Sequence, residues 1–152
     1  MTPLLKKLNF KGESTIVVLN APDSFVPELE AMAACTKVKV NLKAKEKTTF
    51  MLAFCQQQKQ VDEIAQKAAV CLEDDGLLWM AYPKGTSKKY KCDFNRDNGW
   101  SELGKLGFEP VRMVAIDEDW SALRFRRVEF IKKMTRSFAM TEEGKKKIGK
   151  AE

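Results

Sequence analysis

The chain has 152 residues, carries 27 lysines and arginines against 21 aspartates and glutamates, and contains no histidine. The absence of histidine excludes a Ser-His-Asp or Cys-His nucleophile pair and any metal site that needs an imidazole ligand. This length is typical of one domain, and a hydrophobic share of 44% is enough to form a core.

The apolar segments of the chain are short. The run at residues 77–82 is far below the roughly 20 residues that span a bilayer. The amino terminus lacks the apolar core of a signal peptide, so we expect a cytoplasmic protein with no membrane partner. The four cysteines are widely spaced and form no C-x-x-C pair, which favours buried reduced thiols and predicts no metal site.

The amino-terminal part of the chain predicts two helices and two strands. Residues 3–12 suit a short lead-in helix. Residues 15–19 (TIVVL) are almost wholly apolar, which is typical of a strand covered on both faces of a parallel sheet. A helix is predicted over 24–34, because Pro27 then falls in its first turn, where proline is tolerated. Residues 37–42 alternate basic and apolar side chains, as a strand with one exposed face does.

The middle of the chain predicts a strand, a helix and a second strand. Residues 48–55 are continuously apolar. Apolar residues then recur at helical spacing, which predicts an amphipathic helix over 61–72 that the Asp-Asp-Gly sequence at 74–76 ends. Residues 77–82 (LLWMAY) are predicted to be another buried strand, followed by a long polar loop over 83–98.

The last part of the chain predicts a short helix at 100–106 and a hairpin of two strands, 111–116 and 122–128. The turn between these strands is short, so they are antiparallel. The second strand alternates packed and basic residues, which predicts the edge of the sheet. We expect a single α/β domain over 1–128, and then a basic extension over 129–152 that is partly helical or frayed.

The order of these elements predicts an α/β domain with three layers, and a mostly parallel sheet with an antiparallel hairpin at its carboxyl-terminal edge. That ending and the stretch 61–83 resemble a Rossmann-like methyltransferase, so we expect a reduced, methyltransferase-like Rossmann domain. Only five residues (43–47) join the second and third strands, whereas a parallel crossover needs about a dozen. Either a unit has been lost here, or the second strand is an irregular edge.

Ligands of open parallel sheets bind beyond the carboxyl ends of the strands. This rule selects four segments, which we expect to share one rim: residues 20–23, 56–58, 83–88 and 117–121.

The third of these segments contains the groups of an anion site. Lys84 and Lys88 supply positive charge, and Thr86 and Ser87 supply hydroxyl donors. A solvated basic loop is the alternative interpretation.

Three other residues of the rim each have two interpretations. Asn20 is a turn or cap residue, or an amide that orients a ligand. Asp117 belongs to a solvated acidic turn, or is the best candidate for a catalytic base. Trp120 covers the core, or stacks on a ligand.

The turn after the first strand argues against a standard cofactor. Dinucleotide and S-adenosylmethionine sites normally have a glycine-rich turn there, which lets the backbone approach the cofactor. Asn20-Ala21-Pro22 contains no glycine, and Pro22 has no amide N–H to donate. We therefore predict no cofactor, and the sequence leaves open whether the protein is an enzyme.

Basic residues concentrate in three runs, at 37–47, 84–96 and 124–136, and each run is able to contact nucleic-acid phosphates. However, the net charge of +6 is modest, and the sequence contains no helix-turn-helix, zinc-finger or RNA-recognition signature. Solvated faces explain this charge better, and a nucleic-acid partner remains the alternative.

Four segments of the chain form a recognisable set. They are Thr2-Pro3-Leu4-Leu5-Lys6-Lys7-Leu8, Val18-Leu19-Asn20-Ala21-Pro22, Leu78-Trp79-Met80-Ala81-Tyr82-Pro83-Lys84 and Asp117-Glu118-Asp119-Trp120-Ser121-Ala122-Leu123. In order and spacing they resemble the bacterial family catalogued as domain of unknown function 3052, over roughly residues 2–128. The family more often has Trp-Pro-Lys-Lys where this chain has Tyr82-Pro83-Lys84-Gly85.

This resemblance implies one α/β domain without an established activity. It also highlights six residues: Asn20, Pro22, Pro83, Lys84, Trp120 and Ser121. Ser121 joins the candidate ligand-binding set on this ground.

Three functions remain open from the sequence. The first is a non-classical binding domain that holds an anionic small molecule, such as a nucleotide or a phosphate-bearing metabolite, on the rim. The second is a non-enzymatic structural or interaction protein that has lost its cofactor site, and the third is an atypical S-adenosylmethionine-dependent methyltransferase. An open cleft beside Asn20 and Lys84 would favour the first function, whereas a rim filled by Trp120 and its neighbours would argue against it.

Overall fold

The computed structural model describes residues 2–94 and 98–131, which form four α-helices, two short 3₁₀ helices (Asp23–Phe25 and Val128–Phe130) and six strands. The helices are α1 (Pro3–Lys7), α2 (Val26–Ala33), α3 (Gln58–Cys71) and α4 (Ser101–Lys105). The strands are β1 (Thr15–Leu19), β2 (Lys37–Lys39), β3 (Thr48–Phe54), β4 (Leu72–Pro83), β5 (Phe108–Ala115) and β6 (Trp120–Arg127). None of the described helices is long and apolar enough to cross a membrane. The predicted extension lies outside the described residues from position 132 onward.

The six strands form one sheet in the order β2-β1-β3-β4-β6-β5. Strands β2, β1, β3 and β4 are parallel, and β6 is antiparallel to both of its neighbours. The predicted architecture, a mostly parallel sheet that ends in an antiparallel hairpin, is therefore confirmed.

The prediction that the last strand forms the edge is wrong, because β6 lies between β4 and β5, and β5 is the edge strand. The alternation in β6 has a different cause. Phe125 is fully buried in the core on one face, whereas Arg124 and Arg126 lie on the other face and are only partly covered.

Helices cover both faces of the sheet, which explains why its central strands are apolar throughout. The face on the side of α1 and α2 buries Ile16, Val18, Phe50, Leu52 and Trp79. The face on the side of α3 and α4 buries Val17, Leu19, Met51, Ala53 and Met80. The indole Nε1 of Trp79 donates a 3.0 Å hydrogen bond to the carbonyl of Leu8, so the end of α1 is attached to the centre of β4.

The second strand is a three-residue edge strand, shorter than predicted. The chain then returns to β3 through residues 40–47, with Leu42 buried in the core on the α3 side. The Lys67 ammonium donates to the carbonyl of Leu42, and Lys47 donates to the carbonyl of Val70. These contacts hold the short connection against α3, and no helix occurs between β2 and β3.

The Asp-Asp-Gly sequence at 74–76 does not end α3 as predicted. The helix ends at Cys71, and β4 begins at once with Leu72. The ladder with β3 pairs Thr48 with Leu72 and then Phe50 with Leu77, so residues 73–76 bulge out of the sheet. Asp74 lies in this bulge with φ +48°, a conformation that aspartate tolerates better than most residues.

A methyl group has no space at Gly76 in the bulge. An added Cβ would lie 2.8 Å from Leu72 Cδ1 and 2.9 Å from the carbonyl oxygen of Glu73. We expect Gly76→Ala to lower the free energy of unfolding by about 1–3 kcal/mol, because overpacking displaces backbone as well as side chain. Urea denaturation measures this loss, with the exposed Glu73→Ala as the matched control. Equal stability of the two variants would contradict the bulge geometry.

Candidate functional site

The four predicted segments do share one edge of the sheet. The carboxyl ends of β1, β3 and β4 meet there, and so does the β5–β6 turn, because β5 runs parallel to β4. The chain moves outward from β1 to β2 and in the opposite direction from β3 to β4. The crevice between the ends of β1 and β3 is therefore the position at which this class of sheet binds ligands.

Residues 84–94, here called the rim loop, are fastened to the β5–β6 turn. The backbone N–H of Lys84 donates to the carbonyl of Asp119 at 2.8 Å. The Ser87 hydroxyl donates to Asp119 Oδ1 at 2.8 Å and accepts the N–H of Tyr90 at 3.0 Å. Ser87 is buried, so both of its hydrogen-bonding functions serve the loop itself.

Tyr90 extends the rim loop to the segment after β1. Its hydroxyl makes a 3.0 Å hydrogen bond with Ser24 Oγ, just before α2. Its ring lies 5.0 Å from the ring of Trp120, and the Lys89 ammonium lies 5.4 Å from the centre of the Tyr90 ring. Tyr90 therefore covers Trp120 and links two sides of the rim.

Asp93 fastens the other end of the rim loop to the amino terminus of α3. Its carboxylate accepts the N–H of Gln58 at 2.7 Å, and its own N–H donates to the carbonyl of Gln56 at 2.9 Å. The Gln60 side chain accepts the N–H groups of Gln56 and Gln57 at 2.7 and 3.1 Å. The N–H of Gln58, at the start of the helix, and the two N–H groups that precede it are thus satisfied within the chain and are not available to an external anion.

Trp120 covers the core. It is 1% exposed and packs edge-to-face on Phe54 at 5.0 Å, and Phe54 in turn contacts Phe25 at 4.7 Å. Of the two interpretations of Trp120, the one in which it covers the core fits this geometry, because Phe54 and Tyr90 pack against its ring and almost none of the ring is exposed to a ligand. Ser121, the next residue, is buried within β6.

Asp117 and Asn20 have local structural roles. The Asp117 carboxylate accepts the N–H groups of Asp119 and Trp120 at 2.8 and 2.9 Å, which closes the β5–β6 turn. Asn20 is exposed with φ +60°, a backbone conformation that asparagine adopts more readily than most residues. The turn interpretation therefore accounts for both residues without a ligand.

Three of the predicted site residues remain accessible on the rim loop: Lys84 is half-buried, and Thr86 and Lys88 are exposed. Nearby, a cavity of about 400 Å³ lies at the start of α3, and sequence reasoning did not predict it. It is lined by Gln56, Gln57, Gln60, Lys91, Cys92 and Asp93. Only Gln56 and Gln57, from the second predicted segment, pointed to this location, because the fold of the rim loop brings the other residues there.

The rim has no ready nucleophile at the end of β3. Cys55 is fully buried, and burial raises the pKa of its thiol to about 12. Among the described residues, no group of three or more cysteine, aspartate and glutamate side chains is placed to hold a metal ion.

No protein-family model and no curated protein sequence matches the chain. Similar solved structures exist. A SAM-dependent methyltransferase from Aquifex aeolicus superposes with a TM-score of 0.54 at 9% identity, over 82% of this chain and 87% of that one. The N-methyltransferase NodS from Bradyrhizobium japonicum WM9 gives a TM-score of 0.54 at 12% identity, over 82% of this chain and 92% of that one. A chain of the fibrillarin/Nop5p complex gives a TM-score of 0.50 at 11% identity, over 78% of this chain and 74% of that one.

The chain has a methyltransferase-like fold. At such low identity, the likeness extends to the fold alone and carries no activity with it.

The two hydrogen bonds of the Ser87 side chain are expected to stabilise the rim loop. We expect Ser87→Ala to lower the free energy of unfolding by about 1–2 kcal/mol, because it removes a donor and an acceptor at a buried position. Amide hydrogen exchange should accelerate at Lys84 and Tyr90. The matched control is the exposed Thr86→Ala, for which we expect a change within about 0.5 kcal/mol. Similar effects of the two variants would contradict the fastened loop.

Thiol reactivity tests the buried end of β3. At pH 8, a thiol with a pKa of about 12 is ionised in about one molecule in ten thousand, so Cys55 should resist alkylation. The exposed Cys35 should react with iodoacetamide first, and mass spectrometry identifies each modified peptide. Denaturation in guanidinium should make Cys55 reactive as well. Modification of Cys55 at the rate of Cys35 in the folded protein would refute its burial.

Proposed function

We propose that this protein is a non-enzymatic interaction domain, in which a methyltransferase-like fold has lost its cofactor site and contacts a polyanionic partner through exposed lysines. The closed rim is the observation that carries this proposal. Tyr90 binds Ser24 on the β1 side of the crevice, and Asp93 binds Gln56 and Gln58 on the β3 side. The rim loop therefore spans the position at which a cofactor would enter.

The first turn supports the same conclusion independently. Asn20-Ala21-Pro22 provides no glycine for a close approach to a cofactor, and Pro22 provides no N–H donor. If the rim loop only covered a working cofactor site, the turn after β1 would still have the glycines that such a site uses. In this chain, the turn after β1 lacks those glycines, and the rim loop also blocks the entrance to the crevice.

Exposed cations supply the interaction surface. Lys37, Lys43 and Lys45 are exposed, and within residues 2–94 and 98–131 their ammonium groups make no hydrogen bond or ion pair. Lys39, in the same run, differs because it pairs with Glu46. Three unpaired lysines around one short edge strand favour contact with a polyanion such as a nucleic-acid backbone.

A second candidate function is a small-anion site on the outside of the rim loop. Lys84, Thr86 and Lys88 favour it, because their side chains remain available while Ser87 is committed to Asp119. A nucleotide or sugar phosphate is the expected ligand class for two ammonium groups and a hydroxyl.

A thermal-shift titration tests the loss of the cofactor site. We expect S-adenosylmethionine to leave the melting temperature unchanged at all soluble concentrations. A bound cofactor at a hundredfold excess over its Kd would stabilise the fold by about 2.7 kcal/mol, which is readily seen in such a melt. A saturable rise in Tm would overturn the proposal and revive the methyltransferase alternative.

Fluorescence anisotropy with a labelled RNA and a labelled DNA tests the polyanion surface. We expect binding that weakens steeply with salt, as counterion release requires. The double variant Lys43→Glu, Lys45→Glu should weaken this binding by about tenfold or more, since two attractive contacts become repulsive. The matched control, Lys84→Ala, should leave the affinity unchanged.

The same variants separate the two candidate functions. If neither nucleic acid binds, the interaction proposal fails. If a nucleotide or sugar phosphate raises the Tm and Lys84→Ala abolishes that rise, the small-anion function replaces it.

A further inference from the structure

The opposite edge of the sheet contains a cavity of about 460 Å³ that lies far from the rim loop. It is formed where β3 and β4 begin and β6 ends. One part of its lining is basic and includes Lys11, Arg124 and Arg126, and another part comes from the 73–76 bulge of β4. Bulges often redirect side chains next to functional sites.

Arg124 is the unsatisfied group of this cavity. Its Nε is buried and has no hydrogen-bond partner among the described residues. Arg112 lies directly opposite it on β5, and Arg126 lies two residues away on the same face of β6. Burial lowers the pKa of Arg124, and repulsion from Arg126 and Arg112 lowers it further, while Asp75 opposes the shift. A partly buried guanidinium with cationic neighbours is stabilised by an anion.

Asp75 does not supply that anion, because it is committed to Arg126. The Arg126 guanidinium donates to both oxygens of Asp75, at 2.8 and 2.6 Å. This bidentate pair neutralises one arginine and leaves Arg124 without a carboxylate.

The bulge places two further carboxylates at the same cavity. Glu73 and Asp74 line it and are exposed, and their side chains form no hydrogen bond or ion pair with the described part of the chain. A fourth acidic lining residue, Glu13, accepts the backbone N–H of Lys11. The lining of the cavity therefore carries both an unpaired guanidinium and unpaired carboxylates.

We propose that this cavity binds a free α-amino acid, whose carboxylate pairs with Arg124 and whose ammonium group faces Glu73 and Asp74. A simple anion would be attracted by Arg124 and repelled by the two carboxylates. A simple cation would be attracted by the carboxylates and repelled by Arg124. A zwitterion satisfies both charges. A volume of about 460 Å³ lies within the range of small-molecule sites and leaves space for the ligand's side chain. This site is separate from the rim, so it does not depend on the proposed function.

The side-chain Nε–Hε resonance of Arg124 reports binding directly in ¹⁵N-labelled full-length protein. The probes are L-alanine and L-glutamine, with propionate and ethylamine as analogues that each lack one charge of alanine. We expect the amino acids to shift this resonance and to bind about five to ten times more tightly than propionate, since the ammonium contact is lost in propionate. Ethylamine should not shift it.

Variants then test separately the residue that binds the ligand's carboxylate and the residues that face its ammonium group. Arg124→Met keeps the apolar stem and should weaken alanine binding by about tenfold or more, measured on the backbone amides of 73–76. The matched control Lys59→Met, at the exposed start of α3 on the opposite edge, should leave alanine binding unchanged. The exposed pair Glu73→Gln, Asp74→Asn should remove the preference for alanine over propionate, and its surface position keeps the fold intact.

Three results would overturn the proposal. They are the absence of any shift at Arg124 with either amino acid, equal affinity of the unmodified protein for alanine and propionate, and undiminished alanine binding by a folded Arg124→Met protein.

Discussion

The antiparallel pairing of β6 with β4 is the constraint on which the rest of the structure depends. It ends the parallel part of the sheet and makes β5 the edge strand, parallel to β4. The β5–β6 turn therefore reaches the rim, where Asp119 accepts the N–H of Lys84 and the hydroxyl of Ser87. The same pairing carries Arg124 and Arg126 to the opposite edge, beside the 73–76 bulge.

The hydrogen bonds that hold the rim loop in place are numerous enough to oppose the binding of a ligand beneath it. Between the rim loop and other segments in residues 2–94 and 98–131, five hydrogen bonds form through Lys84, Ser87, Tyr90 and Asp93. At about 1 kcal/mol each, a ligand that displaced the whole loop would lose about 5 kcal/mol, or between three and four orders of magnitude in Kd. The conformational entropy that a released loop regains offsets part of this loss. A cofactor would have to exceed the remainder without a glycine-rich turn to receive it.

The sequence predicts the features of the fold that depend on which side chains are buried. It does not predict those that depend on how strands and polar groups pair with one another. Continuous apolar runs at 15–19 and 48–55 indicate strands covered on both faces, and the structure confirms both. Alternating packed and basic residues occur both in an edge strand and in an inner strand with one half-covered face. The pattern in β6 therefore led to a wrong prediction of its position in the sheet. Asp-Asp-Gly is typical of a helix end, and only the register between β3 and β4 reveals it as a bulge. The hydroxyl of Ser87 and the carboxylate of Asp117 are typical ligand groups, but the loop conformation gives both of them partners within the chain.

Each edge of the sheet retains one buried donor that has no partner among the described residues: the indole Nε1 of Trp120 at the carboxyl edge and the guanidinium Nε of Arg124 at the amino edge. The surroundings of these two donors differ. At the carboxyl edge, Asp93 and Gln60 satisfy the start of α3, and Asp119 satisfies the rim loop. At the amino edge, the Nε of Arg124 is buried without a partner among the described residues. A partly buried guanidinium without a carboxylate partner is costly in the unliganded protein, and a ligand carboxylate that pairs with it would offset part of that cost. The Trp120 indole is enclosed by Phe54 and Tyr90, whereas Arg124 lines a cavity. The edge that the fold normally leaves unused is therefore the one at which a ligand has more charge to neutralise.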